Sequence, residues 1–438
     1  MGVSHRCQKL SERQSASLAI ALHIRGHRPT AMIPASRPNY SYRDLKASVF
    51  HSSSVIEEFE TELAAYFGVR QAITFPYGRS ALYTALKAMD RPGGEVIQPA
   101  YNCVVVAHAS VVAGCNPVFV DTLPDSPNQN PEQMIDKTTS QTVAAIPTSI
   151  FGMNFDAAEL SEAIRRRNKN TVIFIDCCQC FDARWDGKML AGCGDGAFLA
   201  FGIGKPMTSL YGGAFLTNQE GLAQSVRRYR NASFTRRSGM AGMMRWLYFV
   251  ASWAALSVPF ARLTDALANA DTPLKSYLMT LRSREAIRLP ADNQTMMLPL
   301  EAAIGREQLG RMSMFMRRRR EIVQIYERGF AGLPGIQLLH WTEGSTYTIY
   351  SIRLKRPEDR VRVLGSLRKR GIQGSTILDY IIPGLDCYRG KGNYSDSFPN
   401  ASDWAASILN LPNHPSMTEK QVQTVVGVVR EVIGGMYV

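Results

Sequence analysis

From Val55 onward the chain alternates short apolar runs with stretches of helical periodicity. Val55–Phe67 (VIEEFETELAAYF) repeats apolar residues at three- and four-residue spacing, and Gly68 closes it. Strand-like runs follow at Ala72–Phe75, Glu95–Gln98, Val118–Asp121, Val143–Pro147, Val172–Asp176, Ala197–Phe201 and Ala214–Thr217. Helical patterns fit Ser80–Met89, Val104–Ala113, Ala157–Arg167 and Gly221–Arg230. This alternation, with short glycine-bearing turns, predicts an α/β fold: a mainly parallel seven-stranded sheet with helices on both faces. Ligands of such sheets sit beyond the carboxyl ends of the strands. After Pro299 the pattern predicts one long helix over Glu301–Tyr326, whose Arg317–Arg320 run reads as a solvated face. Beyond Gly335 come a strand at Thr346–Leu354, a helix at Glu358–Arg370, a strand at Ile408–Leu411 and a helix at Thr418–Ile433, which together predict a small C-terminal α+β domain. The expected organisation is a loosely ordered N-terminal extension (1–50), a large domain (51–334) with a basic, apolar insertion at about 231–290, and a small domain (335–438).

Charge and cysteine content narrow the partners. The 438 residues carry a formal charge of +13, which favours anionic ligands. Eleven Lys/Arg against three Asp/Glu between Gly221 and Pro290 concentrate +8 of it in the insertion. No nucleic-acid readout motif accompanies that charge, so no nucleic-acid partner is expected. Eight cysteines in so long a chain make no disulfide scaffold, and Cys177, Cys178, Cys180, Cys193 and Cys387 lack paired zinc spacing. They read as buried thiols in a reducing cytoplasm, with no metal site. The Ser15–Ile24 run only faintly resembles a signal peptide, since basic residues follow it at once. Arg245–Arg262 (RWLYFVASWAALSVPFAR) is short for a membrane span. Two readings stay open for it: a helix lying on an anionic membrane surface, or one buried against the chain or a partner subunit.

Three places carry candidate chemistry. Val172–Asp176 ends in an acid at the mouth of a buried strand, where a carboxylate needs a cationic partner. A protonated pyridinium nitrogen supplies one; capping a helix or pairing with an arginine is the plainer role. Gln179, three residues on, is within reach of the same ligand. Lys205 follows a strand in an otherwise uncharged run (FLAFGIGK), where desolvation suits a Schiff-base amine, although a lone lysine after a strand is more often a surface residue. Tyr77-Gly78-Arg79-Ser80 joins a strand to a helix, a weak phosphate-cradle signal.

Taken together, these pieces resemble the DegT/DnrJ/EryC1/StrS aminotransferases. The matching runs are FETELAAYFG at 59–68, GRSALYTAL at 78–86, the 95–121 segment, FIDCCQ at 174–179, AFGIGK at 200–205, EAAIGREQL at 301–309 and ILNLPNHPSMT at 408–418. The resemblance implies fold type I, pyridoxal 5'-phosphate as cofactor and a homodimer with shared active sites. It further implies transfer of an amino group from an amino acid, glutamate foremost, to a keto sugar carried on a nucleotide. On that resemblance Lys205 and Asp176 are catalytic, Lys205 holding the cofactor and Asp176 its ring nitrogen. Gln179 lies near the ring hydroxyl, Gly78, Arg79 and Ser80 at the phosphate, and Asn293 in the segment that reaches a partner site. Ala200 stands where a hydroxyl is usual, Cys103 where a stacking aromatic is usual, and DNQTM at 292–296 lacks an arginine. Tyr101 is therefore expected to lean over the ring beside Cys103, and Arg79 to strengthen the phosphate contact. The alternatives are related chemistry on a non-sugar or lipid-linked substrate, and a non-catalytic descendant.

Overall fold

A computed structural model describes residues 32–255, 284–389 and 397–437. In chain order the large unit contains β1 (Gln71–Phe75), β2 (Glu95–Pro99), β3 (Asn116–Val120), β4 (Thr142–Ala145) and β5 (Val172–Asp176). A small hairpin of β6 (Arg184–Trp185) and β7 (Lys188–Met189) comes next, then β8 (Gly196–Ala200) and β9 (Gly213–Thr217). Seven strands form one sheet in the order β1-β9-β8-β5-β4-β2-β3. Only β9 runs against its neighbours, β1 and β8; the other pairings are parallel. All seven runs named from the sequence are these strands, each within two residues of its expected ends.

The strands read as continuous apolar runs because helices cover both faces. Alternate residues feed two cores. Ile175, Leu199 and Leu216 join Phe59 and Leu63 on one face, while Phe174, Phe198 and Phe215 join Leu82 and Phe75 on the other. One ion-paired cluster ties a covering helix to the sheet. Glu60, on helix Val55–Phe67, meets Arg227 at 2.7 Å and Arg230 at 2.9 Å, and accepts from the Thr74 N–H of β1 at 2.8 Å. Burial pushes the Glu60 carboxyl up, but the two guanidiniums and the Thr74 N–H outweigh it and hold it below the ordinary glutamate value.

Residues 32–50 depart from the expected loose extension. Ser41 caps a helix, Tyr42–Val49, whose fully buried Asp44 accepts from Gln308 Nε2 at 2.8 Å and pairs with Arg311. Ile33 bridges to Ile372 and joins the C-terminal core. The single long helix expected over Glu301–Tyr326 is two, Pro299–Leu309 and Met312–Phe330, with Gly310, a poor helix former, between them. The second helix itself spans both cores, with Met312, Phe315 and Met316 in the first and Ile322, Val323, Tyr326 and Phe330 in the second. Arg317–Arg320 is correspondingly no uniform solvated face: Arg319 is 5 % exposed, and Arg320 turns toward Asp182.

The C-terminal unit is a three-stranded antiparallel sheet of β10 (Ile336–Leu338), β11 (Tyr350–Leu354) and β12 (Ile408–Leu411), covered by helices Arg360–Lys369 and Glu419–Gly434. The strand expected from Thr346 begins only at Tyr350. Its first residues instead bind the large unit, Thr346 N–H to Gly152 O at 2.9 Å and Ile349 N–H to Phe151 O at 3.3 Å. The insertion contributes helix Gly239–Ala255, which buries Phe249 among Leu210, Leu298, Leu300 and Ile304 and leaves Met240, Met243, Met244 and Leu247 exposed. Residues 256–262 of the apolar stretch lie outside the described residues. Among the described residues no helix is long and apolar enough to cross a membrane.

The Glu60 cluster yields a stability test. Glu60→Gln strands two guanidiniums at a mostly buried site, and chemical denaturation should show a loss of about 3 kcal/mol. Because Glu60 is held below its unfolded value, that stabilisation is present above the ordinary glutamate pKa and fades as pH falls through the folded one. The gap between the proteins should therefore close in acid; a gap that is constant with pH contradicts the assignment.

Candidate active site

The carboxyl ends of β5 and β8 converge on one cleft. Asp176 is the last residue of β5, 4 % exposed, and its backbone N–H donates to Pro147 O at 2.9 Å. The Cys178 N–H donates to Asp176 Oδ1 at 2.9 Å, and Asn102, itself bonded to Thr148 at 2.9 Å, also reaches the carboxylate. Burial dominates and pushes the Asp176 carboxyl above the ordinary aspartate range, against the Cys178 N–H and the positive charge of Lys205. An acid so placed calls for one more cation or hydrogen-bond donor.

Lys205 comes from the loop after β8. Its backbone N–H donates to Gly202 O at 3.0 Å, with Gly204 in the left-handed region at φ 89°, so a tight turn brings the lysine back toward the sheet. Its charge acts on both Asp176 and Cys178. Burial raises the Cys178 thiol well above its usual value, so it stays protonated. Gln179 is buried, and its side-chain oxygen accepts from the Phe151 N–H at 2.9 Å, which leaves its NH2 group as the donor for a ligand.

The opposite end of the cleft is the start of helix Gly78–Ala88. It is wedged between β8 and β9: a Cβ on Gly78 would lie 2.8 Å from both Ala200 Cβ and Leu199 O, and one on Gly213 would lie 2.4 Å from Gly78 N. Ala200 is thus the neighbour against which Gly78 packs. Ser80 is buried, and its hydroxyl donates to Asn293 Oδ1 at 2.7 Å. Arg79 lies 5.7 Å over the Tyr77 ring, and burial lowers its pKa while Cys103, Tyr77 and Cys178 oppose. Around them Tyr77 donates to Asp292 at 2.9 Å, and Asp292 pairs with Arg237 at 2.7 Å and Arg245 at 3.5 Å. This network anchors the 292–296 segment to the helix start within one chain.

Asp176, Lys205, Gln179, Gly78, Arg79, Ser80, Asn293 and Cys103 therefore share one region. Tyr101 does not lean into it. It is fully buried in the cluster facing the C-terminal unit, edge-on to Phe151 at 6.3 Å, and its hydroxyl is without a partner. An aromatic does stand beside Cys103, but it is Tyr380, whose hydroxyl accepts from the Val104 N–H at 3.0 Å while Arg284 stacks 4.1 Å over its ring. Sequence reading had no route to Tyr380, which arrives from a loop almost three hundred residues away. The anchor Asp292 was visible only as part of an incomplete motif.

The residues present fit pyridoxal phosphate. Asp176 is a buried acid awaiting a cation, Lys205 an amine beside it, and a helix start with Ser80 and Arg79 lies where a phosphate would end. Among the described residues no cluster of three His, Cys, Asp or Glu side chains could hold a metal, and seven cysteines are free.

Comparison with known proteins agrees. The model of the DegT/DnrJ/EryC1/StrS aminotransferase family matches residues 39–256 and 265–430. The spore coat polysaccharide biosynthesis protein SpsC of Bacillus subtilis (strain 168) is 25% identical over 394 residues, 87% of this chain and 90% of that protein. The dTDP-3-amino-3,4,6-trideoxy-alpha-D-glucose transaminase of Micromonospora megalomicea subsp. nigra is 26% identical over 90% of this chain and 95% of its own. The PLP form of Spr1654 from Streptococcus pneumoniae, described as a sugar aminotransferase, superposes with a TM-score of 0.72 at 21% identity, covering 93% of this chain and 100% of that one.

Asp176 gives a two-sided test. Its raised pKa means that ionisation favours the unfolded chain, so the burden on stability grows as pH rises above the ordinary aspartate value. At neutral pH Asp176→Asn should leave the cofactor-free protein at least as heat-stable as the parent, yet weaken cofactor retention about 30-fold or more, measured by dialysis and absorbance. Loss of stability with retention intact contradicts this role.

Proposed function

Since the chain belongs to the DegT/DnrJ/EryC1/StrS aminotransferase family, we propose that it moves an amino group from an amino acid, glutamate foremost, to a keto sugar carried on a nucleotide, with Lys205 and Asp176 as its catalytic pair. The observation that carries this reading is the Asp176–Lys205 convergence: a buried acid with its carboxyl pushed up and a lysine whose charge reaches it, at adjacent strand ends. The two relatives above, named for polysaccharide biosynthesis and for a sugar-nucleotide transaminase, support the acceptor class.

Pyridoxal phosphate, when bound, supplies an electron-accepting ring that acidifies the carbon bearing the amino group. The chain's own residues do the rest. The buried Asp176 carboxylate would keep a proton on the ring nitrogen, since separating that pair in a dry cleft is costly. Lys205 would hold the cofactor and, as a free amine, would take a proton from the donor carbon and return it nearby. Gln179, whose oxygen is taken by the Phe151 N–H, would donate its NH2 to the ring oxygen. Arg79 and the first N–H groups of helix Gly78–Ala88 would hold the phosphate, and the Ser80 hydroxyl, which here donates to Asn293 Oδ1, would join them by turning its hydrogen to the phosphate. The donor leaves as its 2-oxo acid and the sugar ketone leaves as an amine, so atoms balance over the two halves. The cationic groups near the cleft suit a diphosphate. As in the family, a homodimer is expected to complete the site.

Lys205→Ala should cut kcat by at least about a thousandfold with the circular dichroism spectrum unchanged, because proton transfer by a positioned base contributes on that scale. Turnover of sugar-nucleotide ketones at the parent rate removes Lys205 from its role. Activity on lipid-linked ketones alone, with the lysine still required, moves the acceptor to the other class.

A further inference from the structure

Of the twelve large apolar side chains that stand exposed among the described residues, seven belong to two neighbouring elements. Tyr42, Val49 and Phe50 come from helix Tyr42–Val49 and its end, and Met240, Met243, Met244 and Leu247 from helix Gly239–Ala255. Phe50 is 74 % exposed and Met240 64 %. Single exposed apolar residues are ordinary, but a group of seven on two touching helices marks a contact surface.

Spacing makes each set one stripe. Positions 240, 243, 244 and 247 follow helical rhythm and share a face, with exposed Ala251 one turn further along. Exposed positions 42, 43, 46, 49 and 50 do the same on the shorter helix. Two contacts join the stripes. Trp246 Nε1 donates to Ser48 Oγ at 3.2 Å, and Val49 and Met243 line one open, apolar groove of about 430 Å³ with Trp246, Leu298 and Leu300.

Charge decides what the face fits. A surface helix ordinarily turns charged residues to water. Helix Gly239–Ala255 has one charged residue, Arg245, and sends it inward, 4.0 Å over the Tyr211 ring and 3.3 Å from Glu301. Its outer stripe carries no charge. On the shorter helix the acid, Asp44, is buried against Gln308 and Arg311, while Arg43 and Lys46 stay exposed within the apolar stripe. Arg236, just ahead of the longer helix, is exposed too. A second copy seated two-fold on this face would bring these like charges together. An anionic lipid surface answers both features: the Met, Leu, Phe and Tyr side chains enter the boundary between headgroups and acyl chains, and the cations meet phosphates. Phe249, buried among Leu298, Leu300 and Ile304, holds the helix flat against the chain from behind.

We propose that this face docks on an anionic bilayer, with helix Gly239–Ala255 lying in its plane. The inference goes beyond the proposed activity and does not rest on it. It sets the cleft beside the lipid surface, because Arg245 also reaches Asp292, which accepts from Tyr77 at the start of helix Gly78–Ala88.

The test is sedimentation of the full chain, loaded with pyridoxal phosphate, with vesicles of phosphatidylcholine alone or mixed equally with phosphatidylglycerol. The protein should pellet with the mixed vesicles at low salt and be released as salt rises. Arg43→Gln with Lys46→Gln should lower partitioning about 30-fold, the worth of two cations at an anionic surface. Met244→Gln with Leu247→Gln should lower it at least about 10-fold. Both side chains are exposed, so melting temperature and oligomeric state should match the parent's. The charge pair stands as the test should the apolar pair fail to fold. A parent that stays in solution with both vesicle types, or binds both equally, overturns the proposal. So does an apolar pair that alters the oligomeric state while vesicle binding holds, which gives the face to a second copy. Turnover enters none of these readouts, so failure here leaves the aminotransferase reading standing.

Discussion

One constraint organises the molecule: a carboxylate must be kept buried at the end of β5 next to an amine that can be released. Taken alone, Asp176 in that position is a liability, because nothing in its surroundings fully repays the loss of water. The parallel strands around it are what make it affordable. β5 and β8 are paired in register, so the loop leaving β8 has to turn back over the end of β5, and the Gly204 turn sets Lys205 there. The acid and the amine are adjacent because the strands are.

The proposed phosphate end depends on close packing rather than on charge. Gly78, Gly213 and Ala200 crowd into a space where a single extra Cβ meets backbone or a neighbouring Cβ, so the helix start cannot drift from the strand ends. Ala200, where the family resemblance leads one to expect a hydroxyl, is the small neighbour this crowding admits. The Asp292 network then fastens the returning segment to Tyr77 and two arginines of the insertion. The basic, apolar insertion thus lends two arginines to the network beside the proposed site.

Much of this was legible beforehand, for physical reasons. Central strands covered on both faces must be apolar throughout, so VIFID and AFLA announce themselves, and the acid and lysine that break such runs stand out. The misses share another cause: they depend on contacts between distant segments. Tyr42–Val49 is too short to show periodicity, and Asp44 gains its meaning only from Gln308 and Arg311. Arg319 looks like its three neighbours in sequence, and only the meeting of the two cores around it shows that it is buried. Tyr101 follows a strand end as a ring-stacking residue would, yet its side chain turns into the C-terminal cluster while Tyr380 arrives beside Cys103 from afar.

The most direct measurement is chemical trapping. Holoenzyme reconstituted with pyridoxal phosphate, reduced with borohydride and digested, should yield a single phosphopyridoxyl-bearing peptide with the label on Lys205. Label on a different lysine, or none at saturating cofactor, would contradict the account.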